Sequence, residues 1–271
     1  MVYCNHGYCF CWRISGINHV QKQFIYADRL GNPAFRRIAL FDYPCKETNA
    51  MHVRIPPLPE YQSMKCKAPS PVLASFILAI AAGIFIGIGG TVLLSLENRI
   101  VGSVLFSVAL LSICMLGLYL FTGKVGYLVN SHTRTDILSV IAGLLGNGVG
   151  CWLAAAGARI CRPAVIDAAR ALVEPKLQKD AAYAFVAGIF CGILMYTAVQ
   201  IFKDKNSAAG IFFCVPVFIL AGFEHSIADM FYFFCAGEYS PEMFAFLLLV
   251  VLGNAVGGWL MPLFSRLAGK K

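Results

Sequence analysis

An all-α membrane fold, with six transmembrane helices in two inverted three-helix repeats, is what the sequence predicts, and three observations carry that prediction. Charged residues make up only 13% of the 271-residue chain and hydrophobic ones 59%, whereas a soluble globular domain carries about 25% charged residues. The mean hydropathy is +0.71, and the apolar residues are gathered into blocks long enough to cross a bilayer, which takes about 20 residues of helix. Two motifs also recur at nearly one separation. Ala82-Gly83-Ile84-Phe85-Ile86-Gly87-Ile88 returns as Ala187-Gly188-Ile189-Phe190-Cys191-Gly192-Ile193, at an offset of 105 residues. Leu145-Gly146-Asn147-Gly148-Val149-Gly150-Cys151-Trp152-Leu153 returns as Leu252-Gly253-Asn254-Ala255-Val256-Gly257-Gly258-Trp259-Leu260, at an offset of 107. Chance apolar similarity does not keep Asn, Trp and several glycines in register, so residues 70–160 and 180–268 read as a duplication.

In chain order, residues 1–63 come first, as an amino-terminal leader distinct from the membrane domain of 64–271. The leader mixes polar and aromatic residues and ends in Ile55-Pro56-Pro57-Leu58-Pro59. It has no hydrophobic stretch of signal-peptide type, and it reads as poorly ordered or as a gene-model extension. Its Cys4, His6, Cys9, Cys11 and His19 resemble a zinc site only superficially, because the spacing matches no standard finger. Six spans follow, near 71–96, 101–129, 135–158, 182–202, 208–235 and 242–264. Cys114, Cys151, Cys191, Cys214 and Cys235 lie within or beside these blocks, where Cys acts as a small hydrophobe.

The formal charge of +8 comes largely from Lys and Arg outside the spans, the usual membrane-protein pattern, and no basic stripe with interleaved aromatics points to nucleic acid. Lys65, Lys67, Arg134, Lys203, Lys205, Arg266, Lys270 and Lys271 would share one side. Positive charge marks the cytoplasmic face, so both termini are expected in the cytoplasm. The connection 159–181 breaks the pattern, since Arg159, Arg162, Arg170, Lys176 and Lys179 would then lie outside.

Three spans per repeat is an odd number, so the halves cross the membrane in opposite senses. Such repeats place their site near the midplane, on interrupted helices. Both middle spans, the second and the fifth, carry Gly beside polar residues inside an apolar run: Tyr119-Leu120-Phe121-Thr122-Gly123-Lys124 and Ala221-Gly222-Phe223-Glu224-His225-Ser226-Ile227-Ala228-Asp229. Broken backbone at that depth survives only where protein covers it or it lines a cavity. An ionisable residue there costs about 2.5–3.5 kcal/mol, which makes Glu224 and His225 functional candidates. His225 can donate a hydrogen bond or a proton to a solute, or pair with Glu224 to hold the loop; Glu224 can serve the site or orient the loop. Thr122 is a hydroxyl partner for His225 from the other half. Gly83, Gly87, Gly90, Gly188 and Gly192 suit close helix packing, and Asn147 and Asn254 suit bonds between helices.

Gly222-Phe223-Glu224-His225-Ser226-Ile227-Ala228-Asp229-Met230-Phe231 resembles the signature of the formate/nitrite transporter family, in which Asn more often stands where Asp229 is. Leu120-Phe121-Thr122-Gly123 resembles its companion motif, and Ala82-Gly83 through Gly89-Gly90 its first-span pattern. The similarity spans roughly residues 66–268. It implies an aquaporin-like protomer of a homopentamer in the cell (inner) membrane, passing formate, nitrite, hydrosulfide or related weak-acid anions, with or without a proton. No cofactor or metal is implied. By position, His225 matches the central pore histidine, Thr122 the threonine of the broken second span, and Asn254 an asparagine of the last span. Phe106 and Phe218 match the outer hydrophobic constriction, and Leu110, Leu120 and Phe121 the inner one. Lys176 matches a lysine that attracts anions at the outer mouth. Gly192 departs from an Asn, and Met195 from a Val, of some relatives. Two other readings stay open: a membrane-embedded metal-dependent enzyme using Glu224, His225 and Asp229, and a channel for neutral solutes.

Overall fold

The computed structural model describes residues 69–269 and, of what precedes them, the backbone of three short strands. The chain divides into two units, Met1–Lys65 and Cys66–Lys271. In the first, β1 (Val2–Asn5), β2 (Tyr8–Ile14) and β3 (Val20–Tyr26) form an antiparallel meander, with Val2 opposite Cys11 and Tyr8 opposite Tyr26. The side chains of Cys4, His6, Cys9, Cys11 and His19 lie outside the described residues.

The second unit is helical throughout its described length. Helix α1 (Pro71–Ser95) starts where Ser70 accepts a bond from the Leu73 N–H and Pro71 occupies the first turn, a position where its missing N–H costs nothing. Asn98 caps α2 (Arg99–Met115), accepting from the N–H groups of Ile100 and Val101. The chain then breaks over 116–120, resumes as the single turn α3 (Phe121–Lys124), and tightens into a 3-10 turn over Val125–Val129. Thr133 and Asp136 cap each other at the head of α4 (Arg134–Cys161). Next come α5 (Ala164–Leu177) and α6 (Ala181–Lys205), the latter stopped by Asn206 in the left-handed region at φ 49°. Helix α7 (Ala209–Ala221) ends on Gly222 at φ 74°, where a side chain would be strained. After a bend of 55° the chain resumes as α8 (Ser226–Ala236), and α9 (Pro241–Leu267) closes the unit.

Helices α1, α4, α6 and α9 are each long and apolar enough to cross a membrane, and the bent pair α7–α8 passes as one further span. Helix α2 has 17 residues, so the second expected span is a helix, a break and a tight turn rather than one rod. Large apolar side chains face outward from α1, α2, α4 and α9, among them Ile77, Ile100, Val108, Ile141, Leu145 and Leu248. A belt of that kind is what lipid covers.

The closest helix pairs are α1 with α4 and α6 with α9. Their backbones touch through glycine. A Cβ on Gly150 would strike the Ile80 carbonyl, and one on Gly257 the Ile189 carbonyl; Gly146 meets Phe76 and Gly253 meets Phe185 in the same way. Close approach of this kind is how helices gain dispersion contact where lipid removes the hydrophobic drive. From the first pair to the second, the contacts shift by 107 residues along α4 and α9. Along α1 and α6 they shift by 109, one helical turn more than the 105 of the recurring motif.

Candidate functional site

The two chain breaks are fastened by the same device. Asn147 on α4 accepts from the Phe121 N–H at 2.9 Å and donates to the carbonyls of Tyr119 at 2.9 Å and Ala79 at 2.8 Å. Asn254 on α9 accepts from the Ser226 N–H at 2.9 Å and donates to the carbonyls of Glu224 at 2.9 Å and Gly188 at 2.8 Å. Each amide thus meets the groups that a helix loses when it breaks, and ties the break to a neighbouring rod. Both asparagines are fully buried, and their amides are spent on the backbone. Gly192 has no room for a side chain, because a Cβ there would strike the Asn254 carbonyl.

Where the breaks meet, Thr122 Oγ1 lies 2.9 Å from His225 Nε2. The other ring nitrogen, Nδ1, accepts from the Ala228 N–H at 3.1 Å, so His225 caps α8 with its own side chain. An acceptor carries no proton, which leaves the proton of a neutral ring on Nε2. Nε2–H therefore donates to Thr122, and the threonine hydroxyl keeps its own hydrogen to offer elsewhere. The ring also stacks on Phe218, centroids 5.5 Å apart, and Phe218 meets Phe106 edge-on at 6.4 Å.

Two cavities flank this pair. One, of about 190 Å³, has Arg99, Lys176, Lys179, Tyr183, Phe218, Glu224 and His225 in its wall. The other, of about 240 Å³, is walled by Leu110, Leu120, Gly123, Lys124, Lys203 and Asn206 among others. Phe106, Leu110, Leu120, Phe121 and Phe218 are all buried, at most 4% exposed. Thr122 is buried as well.

Lys176 is the residue whose setting differs most from a cation standing open at a mouth. Its side chain is 15% exposed and its ammonium is bonded to Glu224 and, at 3.1 Å, to Asp229. Burial works against its charge, but Asp229 and Glu224 outweigh that and hold it above the ordinary lysine range. Tyr183 donates to the Gly222 carbonyl at 2.9 Å and lies 3.4 Å from the Glu224 carboxylate. The Glu224 N–H donates to the Ala187 carbonyl at 3.3 Å. Glu224 and Asp229 are thereby each bonded to a lysine and both nitrogens of His225 are engaged, while the second carboxylate oxygen of Asp229 has no partner among the described residues. Among the described residues no cluster of three His, Cys, Asp or Glu could hold a metal ion.

The excess of cations in 159–181 has a local explanation. Arg159 donates to the Phe234 carbonyl and Arg170 to the Ala236 carbonyl, at 3.5 and 3.4 Å. Both carbonyls belong to the last turn of α8, the end of a helix that favours positive charge. The connection is itself a helix, α5, packed on α8 through Val165, Ala169 and Val173. Sequence reasoning passed over α5 although those buried residues recur every four positions. It also passed over Lys124, Lys203, Tyr183 and Arg99 as cavity residues, because basic and aromatic residues at span ends read as membrane-interface anchors.

Residues 61–267 match the family described as formate/nitrite transporter. Nitrite transporter NirC of Escherichia coli K12 is 27% identical over 214 residues, covering 69% of this chain and 80% of that protein. NirC of Shigella flexneri matches to the same extent. Among solved structures, a pentameric formate channel with formate bound superposes with a TM-score of 0.65 at 25% identity, over 76% of this chain and all of that one. A second, described as an FNT family ion channel, gives 0.64 at 22% identity over 74% and 92% and supports the fold.

Proposed function

Since the chain belongs to the formate/nitrite transporter family, a family of transporters and channels rather than enzymes, we propose that it passes small monovalent weak-acid anions (formate, nitrite or hydrosulfide) between its two cavities, past Thr122 and His225. One observation carries the reading. The bonded pair of His225 and Thr122 is the polar contact between the two chain breaks, flanked by buried Phe106 and Phe218 and by buried Leu110 and Leu120. A bare anion between such side chains would lose its hydration at high cost. The free hydrogen of Thr122, oriented by His225, offers a bond where water is excluded, and the neutral acid form crosses the apolar stretches with the least loss. Proton-coupled passage follows from that preference.

The working assembly is a homopentamer, in keeping with the formate-channel neighbour, itself described as pentameric, with six spans per protomer in two inverted halves. The matched clamps of Asn147 and Asn254 support the duplication. Short connections place Arg134, Lys203 and Arg266 on one face, which the positive-inside rule makes cytoplasmic, with both termini on that side. The cations of the 159–181 connection weigh less against this orientation, because Arg159, Arg170 and Lys176 are bonded within the protein.

Proteoliposome flux of formate, nitrite and hydrosulfide across a range of pH tests the reading. His225→Ala should alter the rate or its pH dependence for whichever anion the parent carries. A parent that carries none of the three, or a variant indistinguishable from it at every pH, overturns it. Electroneutral solute passage with no anion counterflow would favour the neutral-solute channel instead.

A further inference from the structure

Lys124 and Lys203 stand in the wall of one cavity of about 240 Å³, with Cys114 and Asn206 beside them and no carboxylate in its lining. The acid nearest in sequence, Asp204, accepts from the Gln200 amide at 2.9 Å, and Gln200 in turn accepts from the Tyr127 hydroxyl at 2.9 Å. Aromatic faces hold the two lysines instead. The Lys203 ammonium is 3.6 Å from the centroid of the Tyr127 ring, and that of Lys124 is 5.5 Å from the Tyr119 ring. A ring face steadies an ammonium without neutralising it. Among the described residues neither lysine has an acidic partner, whereas Lys176 in the opposite cavity has two.

Two ammonium groups facing one cavity repel each other unless an anion lies between them. We infer that this cavity binds a small doubly charged oxyanion of the sulfate or hydrogen phosphate kind, held by Lys124 and Lys203. Two charges match two ammoniums. The cavity is also large enough for such an ion to keep part of its water. Leu110 and Leu120, both buried, stand in the same wall, and a dianion stripped of water against them would pay more than a monoanion does. The ion therefore occupies the cavity without crossing, and excludes the monovalent anions that enter from this face. The exclusion rests on the transport reading above; the binding does not.

The full-length protein in proteoliposomes tests both parts, with potassium sulfate as the probe and ionic strength held constant with gluconate. Sulfate should lower formate or nitrite flux saturably, and the half-inhibiting concentration should rise about tenfold in Lys124→Gln and in Lys203→Gln, the loss of one charge-assisted bond. The second measurement needs no transport. Cys114 is alkylated with iodoacetate, an anion, and with iodoacetamide, its neutral counterpart, and the product at that residue is quantified by mass spectrometry. In the parent, sulfate should slow the iodoacetate reaction, and the ratio of iodoacetate to iodoacetamide rates should fall several-fold in either variant. Lys124→Gln carries the test alone if Lys203→Gln does not fold. Sulfate that slows neither flux nor Cys114 alkylation, or that acts equally on the parent and the Lys124→Gln chain, overturns the site. A parent inert in flux but with sulfate-protected Cys114 keeps the site and rejects the transport reading.

Discussion

Asn147 and Asn254 make the same set of three bonds, two to a break in the chain and one to a neighbouring helix, yet the segments they fasten differ in charge. Around 116–124 the buried polar side chain is the hydroxyl of Thr122. Around 222–229 there are Glu224, His225 and Asp229, all buried, with Lys176 brought in from α5 to meet the two acids. The shape of a break is therefore set by a neutral amide clamp, and the charges answer to another demand. They join α5, through Lys176, to the loop that presents His225.

Removing the lysine should break this comparison most severely. Lys176→Met leaves two acids buried without their cation, and loss of one partner from a buried pair costs about 3–5 kcal/mol. Thermal unfolding in detergent should record that loss, and Asp229→Asn in the same chain should recover part of it. A Lys176→Met protein as stable as the parent would mean that the charged loop stands without α5. Next in size are Asn147→Ala and Asn254→Ala. Each strands one buried N–H and two carbonyls, at about 1–3 kcal/mol for an unmet group, and the losses should be similar because the bonds are similar. Clearly unequal melting would separate two devices that look alike.

Thr122→Val sharpens the comparison at its neutral end. It keeps the shape and removes the acceptor of the His225 Nε2–H, so about 1 kcal/mol of stability should go, together with much of the anion flux. Thr122→Ser should restore both, and a fully active valine variant would exclude the hydroxyl from the path. The smallest effect lies in the connection between α8 and α9, where the Ser240 N–H donates to the Glu238 carboxylate at 3.0 Å. Bonds from Ser240 hold Glu238 below the ordinary carboxylate range. A lowered value means the contribution is complete above the unfolded value and is lost as pH falls through the folded one. Glu238→Gln should accordingly melt slightly below the parent at neutral pH, and the gap should close in acid.

Much of this was legible in the sequence, for a reason that particular residues make plain. Glu224 and His225 inside an apolar run are too costly to be incidental, and glycine beside polar residues at 222–226 marks where a helix stops; in the other half α2 stops earlier, at Met115, and Gly123 lies in the turn that resumes. Thr122 could be named as a partner because a duplicated chain brings corresponding segments together. The register was harder to read. Gly83 and Gly87, like Gly188 and Gly192, are spaced by four, so a slip of one turn still sets Gly83 against Gly192, and the best-matching offset need not be the packing register. The packing partners of Asn147 and Asn254, Ala79 and Gly188, are 109 residues apart rather than 105. Partnership was illegible too. No pattern in the chain says that Lys176 meets Glu224 and Asp229, that Arg159 and Arg170 meet the end of α8, or that Lys124 and Lys203 share one cavity.

The placement of Lys176 on α5 bears on how the protein is made. It lies 48 residues ahead of Glu224 in the chain, so during synthesis the cation leaves the ribosome well before either acid. By the time Glu224 and Asp229 emerge, the ammonium that will neutralise them is already at the bilayer. The chain delivers the counter-ion first and the buried carboxylates second, the order that spares the insertion machinery an uncompensated pair of acids.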